Sequence, residues 1–311
     1  MAGPGARDGD GTRLGRLSAL AALFLKLGII GFGGPAAHIA LMEEEVVTRR
    51  GWLTREHFLD LVGATNLIPG PNSTEMAIHV GYVRAGWPGL LVAGASFILP
   101  AVLISAAAAW AYVEYGSLPQ VSPLLYGIKP VVLAVILGAV WRLGRSAVKN
   151  CRLLIIGLAV IAAVLLGVHE IVALLLGGVL GMFWLRLPAG GAGPGGLAAL
   201  LALPGLPGLV QPGGPAGVRL WDLALFFLKI GSVLYGSGYV LVAFLEGGLV
   251  RDLGWLTHQQ LLDAIALGQF TPGPVLTTAT FVGYVLAGVP GAVVATLGIF
   301  APSFLFVAIL N

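Results

Sequence analysis

The sequence has little charge and almost no cysteine. Only 10% of its 311 residues are charged and 58% are hydrophobic, whereas about a quarter of an ordinary soluble domain is charged. The mean hydropathy of +0.95 excludes a soluble globular enzyme and a disordered chain. The single cysteine, Cys151, allows no disulfide within the chain and no cysteine-based metal site. We therefore expect a membrane protein without a metal or an organic cofactor.

The apolar residues form continuous blocks, which predicts an all-α polytopic membrane protein rather than a β-barrel of short alternating strands. Residues 1–16 are polar and are interpreted as a cytoplasmic tail, because no cleavage site follows the next apolar run. A Gly- and Pro-rich linker at 188–218 separates a first repeat at 17–187 from a second at 219–311. The second repeat lacks a counterpart of 124–187.

An internal repeat is the strongest pattern in the chain. An offset of 203 residues aligns 24–71 with 227–274 without a gap, and gives 17 identities in 48 positions. With an offset of 202 the match continues as far as Pro100 and Pro302. Biased composition would not match whole motifs in register, so we infer a duplication. The clearest matches are GWLT at 51–54 and 254–257, and PGP at 69–71 and 272–274.

The basic residues are divided unevenly between the two repeats. Of 17 Lys and Arg residues, 14 lie before residue 190. Positive residues mark the cytoplasmic side of a membrane protein, so this asymmetry indicates that the second repeat is inverted in the membrane. Loss of the charges by drift is the alternative explanation.

Runs of Gly and Pro interrupt the apolar blocks of both repeats. These residues disfavour helix, and irregular backbone at membrane depth survives only where protein or water satisfies its polar groups. Transporters use such interruptions to place substrate near the membrane midplane. We predict broken or re-entrant helices at Pro35, Pro69, Gly70, Pro71, Pro272, Gly273 and Pro274.

Several motifs resemble the chromate ion transporter family. They are FGGPAAHI at 32–39, NLIPGPNSTEMAIHVGY at 66–82, FLKIG at 227–231, GWLT at 254–257 and QFTPGP at 269–274, the last three being similar to the family's second homologous domain. The resemblance implies a two-domain, multi-pass transporter of a bacterial-type inner (plasma) membrane that exports chromate, with sulfate as a competitor. Family members usually run longer, in keeping with the short second repeat. A homodimer remains open, and no nucleic-acid partner is expected.

Lys26 and Lys229 are the candidate anion-binding charges. Lys26 lies about nine residues into its apolar block, or roughly 14 Å along a helix, where a charge is functional by default. Because the repeat supplies the second lysine, two ammonium groups can neutralise a tetrahedral dianion such as chromate. The alternative is that each lysine pairs with Glu43 or Glu246 of its own half, or extends to the surface.

The Pro-Gly-Pro turns supply further candidates for anion binding. The N–H groups that follow an N-terminal proline are free, and helix N-termini bind anions through these donors and the helix dipole. Self-capping by the nearby hydroxyls is the alternative, and it is compatible with binding. Together with the glycines of the first break, the substrate-binding candidates are Gly33, Gly34, Asn72, Ser73, Thr74, Thr277 and Thr278.

Glu75, His38 and His79 occur only in the first repeat and are candidates for proton coupling. An ionised carboxylate repels a dianion, so protonation of Glu75 can link anion movement to a proton. Histidines at such positions are more often satisfied hydrogen-bonding groups than ligands. Outside the breaks, Thr54 is predicted to cap a helix, and Thr257 to form a capping box with Gln260.

These observations predict a secondary transporter that exports chromate or a related tetrahedral oxyanion by alternating access. An anion channel on the same scaffold and an incomplete, non-transporting remnant are the alternatives. An enzyme is not expected, since the sequence contains no GxSxG, HExxH or P-loop motif.

Overall fold

The computed structural model describes residues 12–116, 148–166, 168, 170–185, 218–236 and 239–310, with isolated positions between 127 and 145. Most of the predicted tail (1–11) and of the linker (188–217) lies outside the described residues. The chain divides into two compact units, one formed by 1–132 with 207–311 and the other by 133–206. The larger unit contains all of the candidate site residues.

The larger unit contains helices from both repeats. In the first repeat these are α1 (Arg13–Ile30), α2 (Pro35–Glu43) continued by a π-helix (Glu44–Arg49), α3 (Arg55–Thr65), β1 (Gly70–Pro71) and α4 (Asn72–Tyr115). The smaller unit contains α5 (Cys151–Leu165) and α6 (Glu170–Leu185), which pack against each other. In the second repeat, the elements of the larger unit are α7 (Leu220–Val233), β2 (Tyr235–Gly236), α8 (Tyr239–Leu245) continued by a π-helix (Glu246–Asp252), α9 (His258–Phe270), a 3₁₀-helix (Val275–Thr277) and α10 (Thr278–Leu310).

The helices are interrupted where the sequence predicts breaks. Pro35 begins α2, while Pro71 immediately precedes α4 and Pro274 precedes the 3₁₀-helix. The offset between the repeats changes from 203 to 202 residues close to the starts of α4 and α10, and the 3₁₀-helix is found only before α10. A short turn of different geometry therefore accommodates the missing residue without moving the helix that follows.

The long helices α4 and α10 both fold back on themselves. Gly86 and Gly288 adopt φ of 65° and 63°, a conformation that favours glycine. Gly81 touches Gly89, and Gly283 touches Gly291, although residues eight apart would be about 12 Å apart in a straight helix. Each long helix is thus a hairpin of a short first arm and a longer second arm. By length and composition, Asn72–Tyr115 and the segment Val275–Leu310 are apolar enough to cross a membrane.

Glycines also set the helix packing inside each repeat. The helix pairs α1 with α4 and α7 with α10 pack closely, and α4 packs on α10. A Cβ on Gly28 would meet the Phe97 carbonyl oxygen, and one on Gly231 would meet the Ile299 carbonyl oxygen. These two contacts occupy equivalent positions in the two repeats.

We expect Gly231→Ala to destabilise the protein by about 1–3 kcal/mol, because the added methyl group forces α7 away from α10. An alanine in an open helical position would instead stabilise by up to about 1 kcal/mol. Gly157→Ala in α5 is the matched control, since a Cβ there meets no atom within 4 Å. Thermal unfolding of the two purified variants in one detergent measures the difference, and equal midpoints would contradict the packing.

Candidate functional site

The four helix breaks of the larger unit meet in two pairs. The Gly273 N–H donates to the Gly31 carbonyl at 2.7 Å, and the Gly70 N–H donates to the Leu234 carbonyl at 2.6 Å. Gly70 and Pro71 also pair in parallel with Tyr235 and Gly236. An offset of 203 residues relates Gly31 to Leu234 and Gly70 to Gly273. Each break therefore satisfies backbone groups of a break in the other repeat, as buried polar backbone requires.

Four of the helices that start at loops have a side-chain N-cap, whereas α7 has none. Thr12, Thr54, Asn150 and Thr257 each accept a backbone hydrogen bond as N-caps, and Thr257 forms the predicted capping box with Gln260. The residues before α2, α4 and the 3₁₀-helix are Gly34, Pro71 and Pro274, and within the described residues no side chain caps these three starts. Their first N–H groups are available to a ligand.

The candidate hydroxyls of the two Pro-Gly-Pro turns are used differently. Thr277 donates to the Pro274 carbonyl at 2.9 Å, and Thr278 donates to the Val275 carbonyl at 2.8 Å. These two hydroxyls therefore satisfy carbonyls of their own turn and do not cap the helix start. In the first repeat, Thr74 Oγ1 is buried and has no hydrogen-bond partner among the described residues. Asn72 binds Asn66 through its side-chain amide at 2.6 Å, and Ser73 is buried.

Glu75 lies directly behind the first Pro-Gly-Pro turn. Its side chain is 0% exposed, and neither carboxyl oxygen makes a hydrogen bond of normal geometry within the described chain. The polar group that it faces is the hydroxyl of Ser303 in α10, which is also fully buried. Both side chains lie against Gly70, whose φ of 144° and lack of a side chain leave them room. The carboxyl of one repeat thus meets a hydroxyl of the other.

The equivalent glycine of the second turn lies against a methyl group and backbone carbonyls. Gly273 occupies the place of Gly70, and a Cβ on it would lie 3.0 Å from Ala101, the counterpart of Ser303. Thr278, the counterpart of Glu75 at the 203-residue offset, is occupied by its own turn. Sequence reasoning missed Ser303, and the signal available was this Ser/Ala difference directly after the matched Pro100 and Pro302.

The other first-repeat candidates lie around the break between α1 and α2. His38 is buried, its Nε2 contacts the Gly31 carbonyl at 3.1 Å, and its ring packs edge-on against Phe97. The carbonyl that accepts from Gly273 is therefore also held by His38. Gly33 is exposed and Gly34 is half-buried, so Gly31 is the deep member of this break. His79 is buried in α4, one turn after Glu75.

The two candidate lysines lie on the surface of the unit. Lys26 Nζ forms an ion pair with Glu45 Oε1 at 2.7 Å. The ion-pair alternative had named Glu43 as the partner. Lys229 is exposed and makes no ion pair with any described residue. The counterpart of Glu45 in the second repeat is Gly248, which accounts for the difference. Glu43 pairs with Arg55 at 3.3 Å instead.

The hydrogen bond from Lys26 lowers the pKa of Glu45 below its usual range, and partial burial opposes the shift. A lowered folded-state pKa adds stability that is present above the ordinary carboxyl pKa and is lost as the pH falls through the folded value. We expect Glu45→Gln to cost about 0.5–1 kcal/mol at pH 7 and to reduce the loss of stability on acidification. Melting midpoints between pH 7 and pH 3 test this, with exposed Glu56→Gln as control; an unchanged acid slope would contradict it.

Three arginines gather at one end of the unit. The guanidinium groups of Arg50 and Arg84 each lie 5.0 Å from the Trp52 ring centroid. Arg16 donates to the Arg84 carbonyl at 3.4 Å. The start of α1, the loop before α3 and the end of the first arm of α4 therefore lie together.

The second arm of α4 leads to a contact with the second repeat. Tyr112 donates to Asp263 Oδ2 at 2.9 Å, and Gln259 donates to Asp263 Oδ1 at 2.8 Å. Along a helix, Tyr112 is about 40 Å beyond Arg84. Asp263 follows the loop of the second repeat that corresponds to the Trp52 loop, so the two loops lie toward opposite ends of the second arm of α4.

The chain was compared with known proteins. The family model described as Chromate transporter matches residues 18–182 and 221–311. The chain is similar to the Chromate transport protein of Cupriavidus metallidurans, with 36% identity over 296 residues that cover 93% of this chain and 73% of that protein. It is also similar to the Probable chromate transport protein of Synechococcus elongatus, with 36% identity over 94% of this chain and 75% of that protein. The Chromate transport protein of Pseudomonas aeruginosa is 31% identical over 92% of this chain and 71% of that protein.

No solved structure matches the chain. The family match and the relatives nevertheless extend over both repeats and include the two Pro-Gly-Pro turns. The chain therefore belongs to the chromate transporter family.

Proposed function

We propose that this chain is a secondary transporter that exports chromate, or a related tetrahedral oxyanion, across a bacterial-type inner membrane. The observation that carries the proposal is the reciprocal pairing of the four helix breaks through Gly31 with Gly273 and Gly70 with Leu234. Broken helices of two repeats that meet in this way are the usual architecture of a substrate site in transporters. The names of the similar proteins supply the substrate class.

The proposed anion site is the start of α4 and its surroundings. The uncapped N–H groups behind Pro71 and the hydroxyl of Thr74 are buried donors with no side-chain partner among the described residues. An anion there would also gain from the helix dipole. The 3₁₀-helix behind Pro274 offers the corresponding backbone donors of the second repeat. The hydroxyls of Thr277 and Thr278 donate to carbonyls of their own turn, so they would have to leave these carbonyls before they could donate to an anion.

The lysines fit this proposal unequally. Lys229 has no carboxylate partner in the described residues, whereas Lys26 must leave Glu45 before it can serve an anion. We assign Lys229 the larger contribution to attracting the dianion. Lys26 contributes less, because the anion must compete with Glu45 for its ammonium group. Both lysines precede a helix break by about one turn, from which their long side chains can move.

Inverted repeats with re-entrant first segments are part of the proposal. The shared position of Arg16, Arg50 and Arg84 supports segments that enter and leave on one side. The contact between Tyr112 and Asp263 supports an opposite orientation for the second repeat. We call each contact between two breaks, Gly31 with Gly273 and Gly70 with Leu234, a crossing. In such an arrangement the two crossings are related by pseudo-symmetry, and opening them in turn gives alternating access.

Uptake of radiolabelled chromate into everted membrane vesicles tests the proposed function, because export from the cell becomes uptake there. We expect saturable uptake that sulfate reduces, and a decrease of roughly tenfold in Lys229→Ala, equivalent to about 1.4 kcal/mol of binding energy. Lys26→Ala should have a smaller effect. Lys149→Ala, a surface lysine outside the larger unit, is the matched control. Uptake no greater than in vesicles lacking the protein would contradict the proposal.

A further inference from the structure

We propose that Glu75 and Ser303 form a proton-binding site between the two repeats, and that loss of this proton controls anion occupancy at the neighbouring start of α4. The inference rests on the proposed function and specifies how transport at that site is driven. The ligand is a proton on the Glu75 carboxyl, and the Ser303 hydroxyl is the neutral group that faces this carboxyl and sets how tightly the proton is held.

Glu75, Ser303 and Gly70 are packed so closely that a proton is the ligand that fits between them. Glu75 and Ser303 are both 0% exposed, and both contact the bare α-carbon of Gly70 from opposite repeats. A Cβ on Gly70 would lie 2.6 Å from Ser303 Oγ and would overlap Glu75 Oε1. The carboxyl and the hydroxyl are thus packed against each other and the glycine.

Burial without strong donors determines the state of this carboxyl. An ionised carboxylate that is removed from water costs several kcal/mol unless charged or multiple neutral donors solvate it. In the described chain neither oxygen of Glu75 has a hydrogen bond of normal geometry, and Ser303 offers one hydroxyl at most. The buried position of this carboxyl therefore requires the neutral acid. When the crossing opens, water can take the proton, and no other bond forms or breaks.

No other ionisable group described around Glu75 replaces Ser303. The ionisable groups of several elements that pack on α4 have partners other than Glu75. Lys26 pairs with Glu45, Asp263 accepts from Tyr112 and Gln259, and His38 contacts the Gly31 carbonyl. The described part of α10 contains Tyr284 and no other ionisable side chain. The other ionisable groups of α4 are His79, one turn after Glu75, and Tyr82, Arg84, Tyr112, Glu114 and Tyr115. Arg13 and Arg16 lie at the start of α1, Glu43 ends α2, His258 begins α9, and α3 carries Arg55, Glu56, His57 and Asp60.

The asymmetry between the repeats supports a dedicated role. At the pseudo-symmetric position, the atoms nearest to a Cβ on Gly273 would be Ala101 Cβ and the carbonyl oxygens of Gly28 and Phe97, in place of the Ser303 hydroxyl and the Glu75 carboxyl. The second site keeps the glycine and the turn but has no titratable group. The second turn is held by the Thr278 hydroxyl without a carboxyl, so a carboxyl is not required to hold a turn of this kind.

Proton binding can be measured separately from transport. We expect the purified full chain in lipid to show an infrared band of a protonated carboxyl that is lost in Glu75→Gln and kept in Glu56→Gln, an exposed carboxyl on α3. Ser303→Ala removes the one hydroxyl donor that favours the ionised form, so the midpoint of the band's titration should rise by about one pH unit. Ser105→Ala, an equally buried serine of α4, should leave it unchanged.

The link to transport is tested in proteoliposomes that contain radiolabelled chromate and an entrapped pH dye. Wild type should show chromate flux that changes with pH and is accompanied by a proton signal. Glu75→Gln should retain chromate exchange but lose the pH dependence and at least roughly nine-tenths of the proton signal.

The two proposals fail in different ways. An unchanged pH profile and proton signal in Glu75→Gln, or no loss of the infrared band, would overturn the proton site while leaving chromate transport intact. A wild-type protein with the band but without chromate flux at any pH would overturn the proposed function and leave the proton-binding site standing. A Ser303→Ala midpoint that stays constant or falls would overturn the role of Ser303.

Discussion

Gly70→Ala is expected to reduce chromate transport by at least roughly tenfold. Gly70 has a φ of 144°, which side-chain-bearing residues rarely adopt, and such strain costs about 1–3 kcal/mol. The new methyl group would also overlap the Glu75 carboxyl and lie 2.6 Å from Ser303 Oγ. Because the Gly70 N–H holds the Leu234 carbonyl, relief of this overlap would open the crossing between the repeats. Initial rates of chromate uptake into everted vesicles measure the effect.

The matched control for this substitution is Gly63→Ala. Gly63 lies in α3, the helix just before the same turn, and a Cβ there meets no atom within 4 Å. Its transport rate should remain within about twofold of wild type, with equal or greater thermal stability. If Gly70→Ala transported as well as Gly63→Ala at equal amounts of folded protein, the crossing of breaks would not be the functional site.

The second large effect expected is a difference in sidedness between two equivalent residues. Arg55 and His258 are related by the 203-residue offset and are both exposed at the start of a helix. In a Cys151→Ala background, a membrane-impermeant maleimide should label Arg55→Cys from the cytoplasmic side alone and His258→Cys from the opposite side alone. Inversion of the second repeat predicts this all-or-none pattern.

The two cysteine variants control for each other, because they share their local structure and differ in the repeat that carries them. Thr54 and Thr257 cap the helices that follow, so neither substitution removes a cap. Labelling of both cysteines from the same side would show that the repeats are parallel. The uneven distribution of Lys and Arg would then be drift rather than a topological signal.

The features that the sequence predicted well are local ones. Gly and Pro limit the backbone of the residues that carry them, so the breaks before α2 and α4 could be placed from the sequence at Pro35 and Pro71. The caps at Thr54 and Thr257 depend on residues three positions away and are confirmed as well.

Contacts between distant parts of the chain were beyond the sequence. Lys26 binds Glu45, two residues away from the glutamate that the repeat pointed to, and Glu43 pairs with Arg55 instead. The crossed pairing of breaks joins residues more than 160 positions apart, such as Gly70 and Leu234. Ser303 became a candidate only when α10 was seen to pack against Gly70. Tertiary packing determines such contacts, and the helix propensity and hydrophobic periodicity of the sequence do not predict it.

Counterflow of chromate in proteoliposomes tests the central claim most directly. Vesicles with the purified full chain are loaded with unlabelled chromate and diluted into a trace of radiolabelled chromate. A carrier with one site exposed alternately, built at the crossing of Gly70 and Leu234, predicts transient accumulation of label above its equilibrium level, and loss of this overshoot in Gly70→Ala. Equilibration without an overshoot would indicate a channel, and an overshoot that persists in Gly70→Ala would place the site elsewhere.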